Sequence, residues 1–200
     1  MTAMRRSPGA SSAGGQRGAP AGRNRVRIIA GKWRSRLVKF PPAAHLRPTP
    51  DRVRETLFNW LGQRLDGLAC LDLFAGSGAL GFEAMSRGAA RVVLVESDRE
   101  VASALRESAR VLEAEGVEIV VSDAIAYLRR TPEKFDIAFI DPPFASDLAV
   151  RAMAELRDRL RPDARIYVES GAALAPPEWG RLVREDRAGA VRYALYELIS

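Results

Sequence analysis

The sequence has very few of the residues that build disulfides and transition-metal sites. Cys70 is the only cysteine and His45 the only histidine in 200 residues. A single cysteine excludes an internal disulfide and a cysteine-rich metal site, and the apolar neighbours of Cys70 predict a buried, inert thiol. Because no second candidate ligand lies near His45, we expect no metal in this protein.

Long apolar runs are missing as well. No segment approaches the roughly 20 apolar residues that cross a bilayer, and residues 1–25 contain no apolar block of the kind found in secretory signals. We therefore expect a soluble, cytoplasmic protein that does not bind membranes. Residues 1–24 are rich in Gly, Ala, Ser, Pro and Arg, which predicts a disordered basic tail. Residues 25–200 are long enough to bury the core of a single domain.

Acidic residues are nearly absent from the first quarter of the chain. Residues 1–54 contain 13 Lys and Arg and one acidic residue, Asp51, whereas the remainder contains 18 basic and 24 acidic residues. A basic arm on an acidic body indicates a polyanionic partner, although such an arm can also serve solubility alone. Around Trp33 the cations Lys32, Arg34 and Arg36 alternate with an aromatic ring, and this arrangement favours nucleic acid as the partner.

The N-terminal part of the predicted domain contains a hairpin and a helix. Two short strands, Arg25–Ile29 and Arg36–Phe40, flank a turn near Gly31, so residues 25–46 are predicted to form a basic β-hairpin and loop for RNA contact. A helix is then predicted to start at Thr49-Pro50-Asp51, with the Thr49 hydroxyl as its cap, and to end near Gly62.

From Leu68 onward, apolar strands alternate with amphipathic helices. This pattern predicts an α/β fold with a doubly wound, mostly parallel seven-stranded sheet, helices on both faces and an antiparallel hairpin at the C-terminus. Ligands of such folds bind at the carboxyl ends of the strands. The predicted strands are Leu68–Leu73, Arg91–Glu96, Val117–Ser122, Phe135–Ile140, Arg165–Glu169, Arg181–Arg187 and Val191–Leu198. The predicted helices are Ala79–Arg87, Arg99–Glu115, Ala124–Arg130 and Asp147–Arg159.

A glycine-rich loop follows the first strand of this sheet. Gly76, Gly78 and Gly81 match the G-x-G-x-x-G pattern of dinucleotide sites, and Glu96 at the end of the next strand is placed to meet a ribose diol. These residues alone are compatible with a nicotinamide-dependent oxidoreductase.

The charge at the strand ends favours a different ligand. Asp72, Glu96, Asp123 and Asp141 lie at the ends of four strands. A dinucleotide pyrophosphate would be repelled by these carboxylates, whereas the ammonium and sulfonium groups of S-adenosylmethionine would be attracted. We therefore expect S-adenosylmethionine as the ligand.

The segment Asp141-Pro142-Pro143-Phe144 ends the fourth of these strands. Its two prolines fix the backbone and leave carbonyl acceptors beside the Asp141 carboxylate, next to the aromatic ring of Phe144. Such a cluster suits a flat base that carries an amino group.

Together these motifs resemble the Rossmann-like S-adenosylmethionine-dependent methyltransferases, and within them the bacterial 16S ribosomal RNA guanine-N2 methyltransferase family. The segments that carry the resemblance are residues 27–31, 47–60 and 71–78, Glu96, Asp123 and residues 141–144. The resemblance covers residues 25–200. It implies methylation of a guanine amino group in small-subunit RNA, within a partly assembled ribosomal particle, by a monomeric enzyme.

The resemblance also implies roles for individual residues. The residues expected to bind S-adenosylmethionine are Thr49, Asp72, Phe74, Gly76, Gly78, Glu96 and Asp123. The residues expected to act on the substrate base are Asp141, Pro142, Pro143 and Phe144. The residues expected to contact RNA are Lys32, Arg34, Arg36, Arg47, Arg52 and Arg54.

Two further alternatives stay open at this point. A DNA adenine-N6 methyltransferase shares the Asp-Pro-Pro-aromatic segment, although this chain has no insertion large enough for a separate target-recognition region. A non-catalytic RNA-binding factor in ribosome assembly would need the basic arm but not the ligand cleft.

Overall fold

The computed structural model describes residues 24–42, 49–143 and 147–199. An N-terminal hairpin comprises β1 (Arg25–Arg27) and β2 (Leu37–Lys39), which pair antiparallel as a sheet of their own. The predicted hairpin is confirmed, with strands of three residues each. At its turn Gly31 adopts a φ of +79°, and a Cβ there would lie 1.8 Å from the Ser86 carbonyl oxygen. The tip of the hairpin therefore packs directly on the protein body.

The main sheet has seven strands in the order β5-β4-β3-β6-β7-β9-β8. The first five strands of this order run parallel, and β9 and β8 complete the sheet with antiparallel pairing. The strands are β3 (Ala69–Asp72), β4 (Arg91–Glu96), β5 (Val117–Val121), β6 (Phe135–Ile140), β7 (Leu160–Ser170), β8 (Gly180–Ala188) and β9 (Val191–Leu198). The helices are α1 (Asp51–Trp60), α2 (Ala79–Ser86), α3 (Arg99–Leu112), α4 (Ala124–Arg130) and α5 (Leu148–Leu156), followed by a 3-10 turn at Arg157–Arg159.

This architecture confirms the predicted doubly wound fold, although several element boundaries differ from the prediction. Strand β7 begins at Leu160, because that residue pairs with Phe135 beyond an irregularity in the ladder between β6 and β7. Helix α1 begins at Asp51 after Pro50, and no side chain caps it. The prediction that Thr49 caps α1 is wrong, because its hydroxyl donates to Asp141 at 3.1 Å instead.

Helices cover the sheet on both faces, and each face has its own apolar core. One core joins the hairpin and helices α1, α2 and α3 to the sheet, through residues such as Trp33, Phe58 and Phe82. The other joins α4 and α5 to the opposite face. Cys70 is completely buried in the first core, and this burial raises the pKa of its thiol far above the ordinary range. None of the helices in the described part of the chain is long and apolar enough to cross a membrane.

A buried carboxylate fastens the hairpin to the body. Glu83 of α2 is completely buried and accepts hydrogen bonds from the backbone amides of Ile29 at 2.7 Å and Ala30 at 3.0 Å. The same carboxylate forms ion pairs with Arg54 of α1 at 3.4 Å and with Arg87 at 2.8 Å. These contacts hold the hairpin, α1 and α2 in one arrangement around a single charged group.

Candidate active site

A cavity of about 430 Å³ opens at the carboxyl ends of β3, β4, β5 and β6. The loops that follow these four strands form its wall, together with Thr49 ahead of α1 and Leu148 at the start of α5. The structure brings nine of the residues predicted for the ligand and the base to this wall, namely Thr49, Asp72, Phe74, Gly76, Glu96, Asp123, Asp141, Pro142 and Pro143. Phe144 lies outside the described residues.

The three glycines of the loop have different structural roles. Gly76 lines the cavity with a φ of +49°, while Gly78 lies behind the wall with a φ of +75° and immediately precedes α2. A Cβ on Gly78 would lie 2.6 Å from the ring of Phe82, and a Cβ on Gly81 would lie 2.1 Å from Leu94. Gly78 and Gly81 are therefore required by packing between the loop, the helix and the sheet, and the G-x-G-x-x-G pattern here does not by itself demand a pyrophosphate.

Glu96 holds the glycine loop to the end of β4. Its Oε2 accepts a hydrogen bond from the Gly76 amide at 3.0 Å, and its Oε1 accepts one from the Asp98 amide at 2.8 Å. Each carboxylate oxygen has two lone pairs, so Glu96 keeps the capacity to accept hydrogen bonds from a diol in the cavity.

Asp72 is a buried carboxylate at the end of β3. Its Oδ2 accepts a hydrogen bond from the Gly81 amide in the first turn of α2 at 3.0 Å. Burial, together with the nearby carboxylates of Asp141 and Glu96, raises the pKa of Asp72 to about 7, although the hydrogen bond from the Gly81 amide opposes this effect. The ionised form of Asp72 is unfavourable in the free protein, because the side chain is buried beside other carboxylates. A cationic ligand in this cavity would stabilise that form and would therefore be attracted to Asp72.

Asp123 follows β5 and caps α4. Its Oδ1 accepts a hydrogen bond from the Ala126 amide at 2.8 Å, and the side chain is otherwise exposed at the cavity. The capping contact fixes the carboxylate at the rim while its second oxygen can accept a hydrogen bond from a ligand.

Asp141 lies at the end of β6, beside the rigid Pro142 and Pro143. Its Oδ2 accepts a hydrogen bond from the hydroxyl of Thr49, and the Thr49 side chain is buried. Burial raises the pKa of Asp141 to about 6, an effect that the hydrogen bond from Thr49 opposes. At neutral pH the carboxylate can therefore act as an ionised hydrogen-bond acceptor at the cavity wall.

Glu169 is a site residue that the sequence prediction missed. It lies near the end of β7, is only 4 % exposed, and its Oε1 accepts a hydrogen bond from Tyr167 Oη at 2.8 Å. Burial and the charge of Asp141 together raise the pKa of Glu169 to about 8, an effect that contacts with Tyr167 and Thr49 oppose. A usable signal exists in the sequence, because the pattern of acids at strand ends that selects Asp72 and Glu96 applies equally to Glu169.

The predicted RNA contacts at the hairpin turn lie away from the cavity. Lys32, Arg34 and Arg36 are exposed, and the backbone amide of Lys32 donates to the carbonyl of Ser86 at the end of α2. Since α2 starts at the cavity wall, a rise of 1.5 Å per residue puts this turn roughly 10 Å from the cavity along the helix axis. Trp33 is buried in the core, so its ring does not alternate with the cations on the surface.

The three arginines predicted around α1 have different positions. Arg52 is exposed on α1, and Arg47 lies outside the described residues. Arg54 is completely buried, where it donates to Asp51 at 2.7 Å and to the carbonyl of Arg27 at 2.8 Å and pairs with Glu83. The prediction that Arg54 contacts RNA disagrees with this position, and we assign the side chain to structure.

A second concave region adjoins the cavity and is bordered by cations. It has a volume of about 500 Å³, lies between the hairpin and the start of α1, and shares Thr49 with the cavity. We call this region the hairpin groove; it is lined by Arg25, Val26, Arg27, Leu37, Thr49, Pro50 and Asp51. Arg25 and Arg27 belong to the basic hairpin predicted to contact RNA but were not singled out as contacts, although their alternation with buried Val26 in β1 marks them as exposed.

Comparisons with known proteins agree with this architecture. The chain is 44% identical over 183 residues to ribosomal RNA small subunit methyltransferase D of Escherichia coli, covering 88% of this chain and 92% of that protein. It is 42% identical over 186 residues to the protein of the same name from Haemophilus influenzae, covering 89% of this chain and 96% of the relative.

Solved structures show the same fold. An Escherichia coli protein, yhhF, described as a candidate methyltransferase, aligns with a TM-score of 0.80 and 44% identity over 87% of this chain and 98% of its own. The model of a family described as Conserved hypothetical protein 95 matches residues 26–197. These matches confirm the family resemblance inferred from the motifs. The chain therefore belongs to the Conserved hypothetical protein 95 family and is similar along most of its length to methyltransferases of small-subunit ribosomal RNA.

Proposed function

We propose that this protein transfers a methyl group from S-adenosylmethionine to the exocyclic N2 amino group of a guanine in the 16S ribosomal RNA of the small subunit. One observation carries the proposal: three carboxylates at the ends of adjacent strands share a cavity with Asp141-Pro142-Pro143 at the end of a fourth. The ribosomal RNA methyltransferases among its relatives support the RNA as the acceptor. A partly assembled small subunit is the substrate we expect.

The charge of the cavity supports S-adenosylmethionine as the methyl donor. This molecule carries an ammonium and a sulfonium group, which Asp72 and its neighbouring carboxylates would attract. Glu96 would accept hydrogen bonds from the ribose hydroxyls, and Asp123 would accept one from the adenine amino group. A nicotinamide dinucleotide would instead bring a doubly negative pyrophosphate toward the same carboxylates, at an electrostatic cost.

The position of Asp141 supports an amino group as the methyl acceptor. Guanine N2 is a weak nucleophile because its lone pair is delocalised into the ring. Hydrogen bonds from this amine to the Asp141 carboxylate and the Pro142 carbonyl would turn the lone pair toward the methyl group, and Phe144 would stack on the base. Positioning of this kind supplies much of the acceleration, and the amine loses its proton late, to Asp141 or to water.

The hairpin groove supports RNA as the source of that base. A base that reacts in the cavity must leave its stack, so the neighbouring nucleotides remain outside the cavity. Arg25 and Arg27 border the groove that meets the cavity at Thr49, and they are placed to bind the phosphates of these neighbours. Lys32, Arg34, Arg36 and Arg52 would contact more distant parts of the RNA.

A methylation assay with several acceptors tests the proposal. The purified protein is incubated with methyl-labelled S-adenosylmethionine and either small ribosomal particles or RNA from cells that lack it, or DNA, followed by nucleoside mass spectrometry. We expect N2-methylguanosine at one position of the RNA, with particles as the better acceptor. N6-methyladenosine in DNA would identify a DNA methyltransferase, and RNA binding without any uptake of S-adenosylmethionine would identify a non-catalytic factor.

A further inference from the structure

Two buried carboxylates, Asp141 and Glu169, lie near the Thr49 hydroxyl group at one edge of the cavity. Asp141 and Glu169 follow paired residues of the neighbouring strands β6 and β7, where Ile140 lies opposite Val168. The Thr49 hydroxyl donates to Asp141 Oδ2 at 3.1 Å and lies close enough to Glu169 to influence the pKa of that carboxyl. The mechanism proposed above uses Asp141 and leaves Glu169 without a role.

The hydrogen count at this cluster decides its protonation. A threonine hydroxyl has one hydrogen, so it can donate to only one of two carboxylates. If Thr49 donates to Asp141, the neighbouring Glu169 must supply its own hydrogen or present an unpaired anionic oxygen to Thr49. Since Tyr167 Oη donates to Glu169 Oε1, the proton that completes the cluster belongs on Oε2.

The surroundings of Glu169 favour this protonated form. Tyr167 on its own strand, Tyr193 opposite it on β9 and Asp141 on β6 face it, and none of them carries a positive charge. Asp72 on β3 adds a further carboxylate beside Asp141, and Tyr193 donates to Asp186 of β8 at 2.9 Å. In the described ranges, no Lys or Arg forms an ion pair with Glu169 or Asp141. Two adjacent anions without a cation would be costly, so one proton is retained between them.

We propose that Glu169 is a positioning residue for methyl transfer, which donates a hydrogen bond from its protonated carboxyl to Thr49 so that Thr49 donates to Asp141. This chain of donors keeps Asp141 ionised and fixes its orientation toward the substrate amine. No bond to Glu169 forms or breaks during the reaction. The proposal rests on the function proposed above, and its test is chosen so that the two can fail separately.

The expected pH dependence follows from the two carboxyl groups. Asp141 must be ionised to accept from the amine, so activity rises as the pH passes about 6, the value to which its pKa is raised. Glu169 must remain protonated, so activity falls as the pH passes about 8, where this carboxyl ionises. Ionised Glu169 would compete for the Thr49 hydrogen and would place a second negative charge beside Asp141.

Substitution of Glu169 by Gln tests the chain of donors. The amide stays neutral at every pH, can donate to Thr49 and can accept from Tyr167. For the wild type we expect single-turnover methylation to fall about tenfold per pH unit above pH 8. For Glu169→Gln we expect activity within about fivefold of wild type at pH 7 and no fall in activity above pH 8. For Glu169→Ala we expect activity to be lower by about 10²-fold at all pH values, because Asp141 is misplaced.

Controls separate this role from a structural one. Glu107→Gln changes an exposed glutamate of α3 and should show the same fall in activity above pH 8 as the wild type. Any part of that fall that comes from ionisation of the guanine itself would appear in this variant as well. Thr49→Ser keeps the hydroxyl and should retain the wild-type pH profile, whereas Thr49→Val should lose activity as Glu169→Ala does. Thermal unfolding and S-adenosylmethionine binding identify any variant that has lost its fold.

An alkaline limb in Glu169→Gln equal to that of the wild type would overturn the proposal. Infrared spectroscopy gives a readout that needs no activity: at pH 7 the wild type should show a protonated carboxyl band from Glu169, in addition to that of partly protonated Asp72, which the difference spectrum against Glu169→Gln isolates. Absence of that band would also overturn the proposal. A wild type that shows the band but methylates no guanine would contradict the proposed function and leave the protonation of Glu169 established.

Discussion

At the scale of single residues, Asp72 links ligand binding to stability. An aspartate in an unfolded chain has a pKa near 4, whereas burial raises that of Asp72 to about 7. Between these values the folded protein binds more protons than the unfolded chain, so the free energy of unfolding falls as the pH rises from about 4 to 7. The carboxylate that attracts a cationic ligand therefore destabilises the free protein at neutral and alkaline pH.

Asp72→Asn should increase stability and weaken ligand binding. The amide oxygen can still accept from the Gly81 amide, while the unfavourable ionisation is removed. We expect a gain in unfolding free energy on the order of 3 kcal/mol at pH 8 that shrinks toward pH 5, together with at least tenfold weaker binding of S-adenosylmethionine. Urea unfolding and calorimetry measure the two effects, with exposed Asp66→Asn as the control. A variant less stable than wild type at pH 8 would contradict this account.

Asp141→Ala should abolish methyl transfer with little effect on the methyl donor. Asp141 contacts Thr49 and is the residue we propose to bind the base, whereas Asp72, Glu96 and Asp123 line the cavity at the ends of β3, β4 and β5. We expect the transfer rate to fall by about 10² or more, with the dissociation constant for S-adenosylmethionine within a few-fold of wild type. Single-turnover assays and calorimetry give the two quantities. Full activity in Asp141→Ala would exclude the role we propose for this residue.

At the scale of secondary-structure elements, the buried Glu83 determines how the hairpin is mounted. Its replacement by Gln would leave two buried arginines, Arg54 and Arg87, without their shared counterion. We expect a loss of about 3 to 5 kcal/mol in unfolding free energy, measured by urea denaturation. The exposed pair of Glu107 and Arg110 offers a matched control, in which Glu107→Gln should leave stability unchanged. Equal stability of the two variants would show that Glu83 does not fasten the hairpin.

Local sequence patterns predicted most elements but not the partners of buried charges. Strands β4, β6 and β9 and helix α4 agree with the prediction at both ends, because continuous apolar or amphipathic patterns end at acids, turns or breakers. Arg54 and Glu83 were not recognised as buried, since each stands on a helix beside apolar residues and would ordinarily be solvated. Their partners lie 29 and 53 or 54 positions apart in the chain, a distance that no helical or strand period reports.

In the candidate site, too, local patterns predict some residues, whereas the roles of others depend on partners that are distant in the chain. Acids at the strand ends could be placed from the sequence, because parallel strands bring their carboxyl ends to one edge. The role of Thr49 could not be predicted from the sequence, since a threonine before Pro50 and Asp51 matches the pattern of a helix cap. Its actual partner, Asp141, is 92 positions away in the chain. Glu169 could also have been placed at a strand end from the sequence, but its burial and its hydrogen bond from Tyr167 required the structure.

At the scale of the whole molecule, the uneven charge predicts how RNA is bound. The double substitution Arg25→Gln and Arg27→Gln should weaken RNA binding and reduce its salt dependence. With fewer phosphate contacts, fewer counterions are released from the RNA on binding. We expect the slope of log affinity against log salt to fall by about 0.7 per contact for single-stranded RNA. The double variant Arg130→Gln with Lys134→Gln removes the same charge at the opposite, amino end of the sheet and should leave binding nearly unchanged.

Equal effects of the two double variants would indicate binding by net charge alone. Point substitutions suit this question better than removal of residues 1–40. That deletion would also remove Val26, Ile28, Trp33 and Val38 from the apolar core, so weaker binding could follow from a damaged fold.

Thr49 forms part of the wall of both the cavity and the hairpin groove. A chemist seeking an inhibitor could therefore use two adjoining compartments, of about 430 and 500 Å³, that differ in charge. An adenosine derivative with a cationic side chain would occupy the acidic compartment, and an anionic arm extended past Thr49 would reach Arg25 and Arg27. Because the adenosine part and the anionic arm are covalently joined, the arm would bind at a high effective concentration once the adenosine part is bound. Selectivity would come from the requirement that the two compartments meet at Thr49.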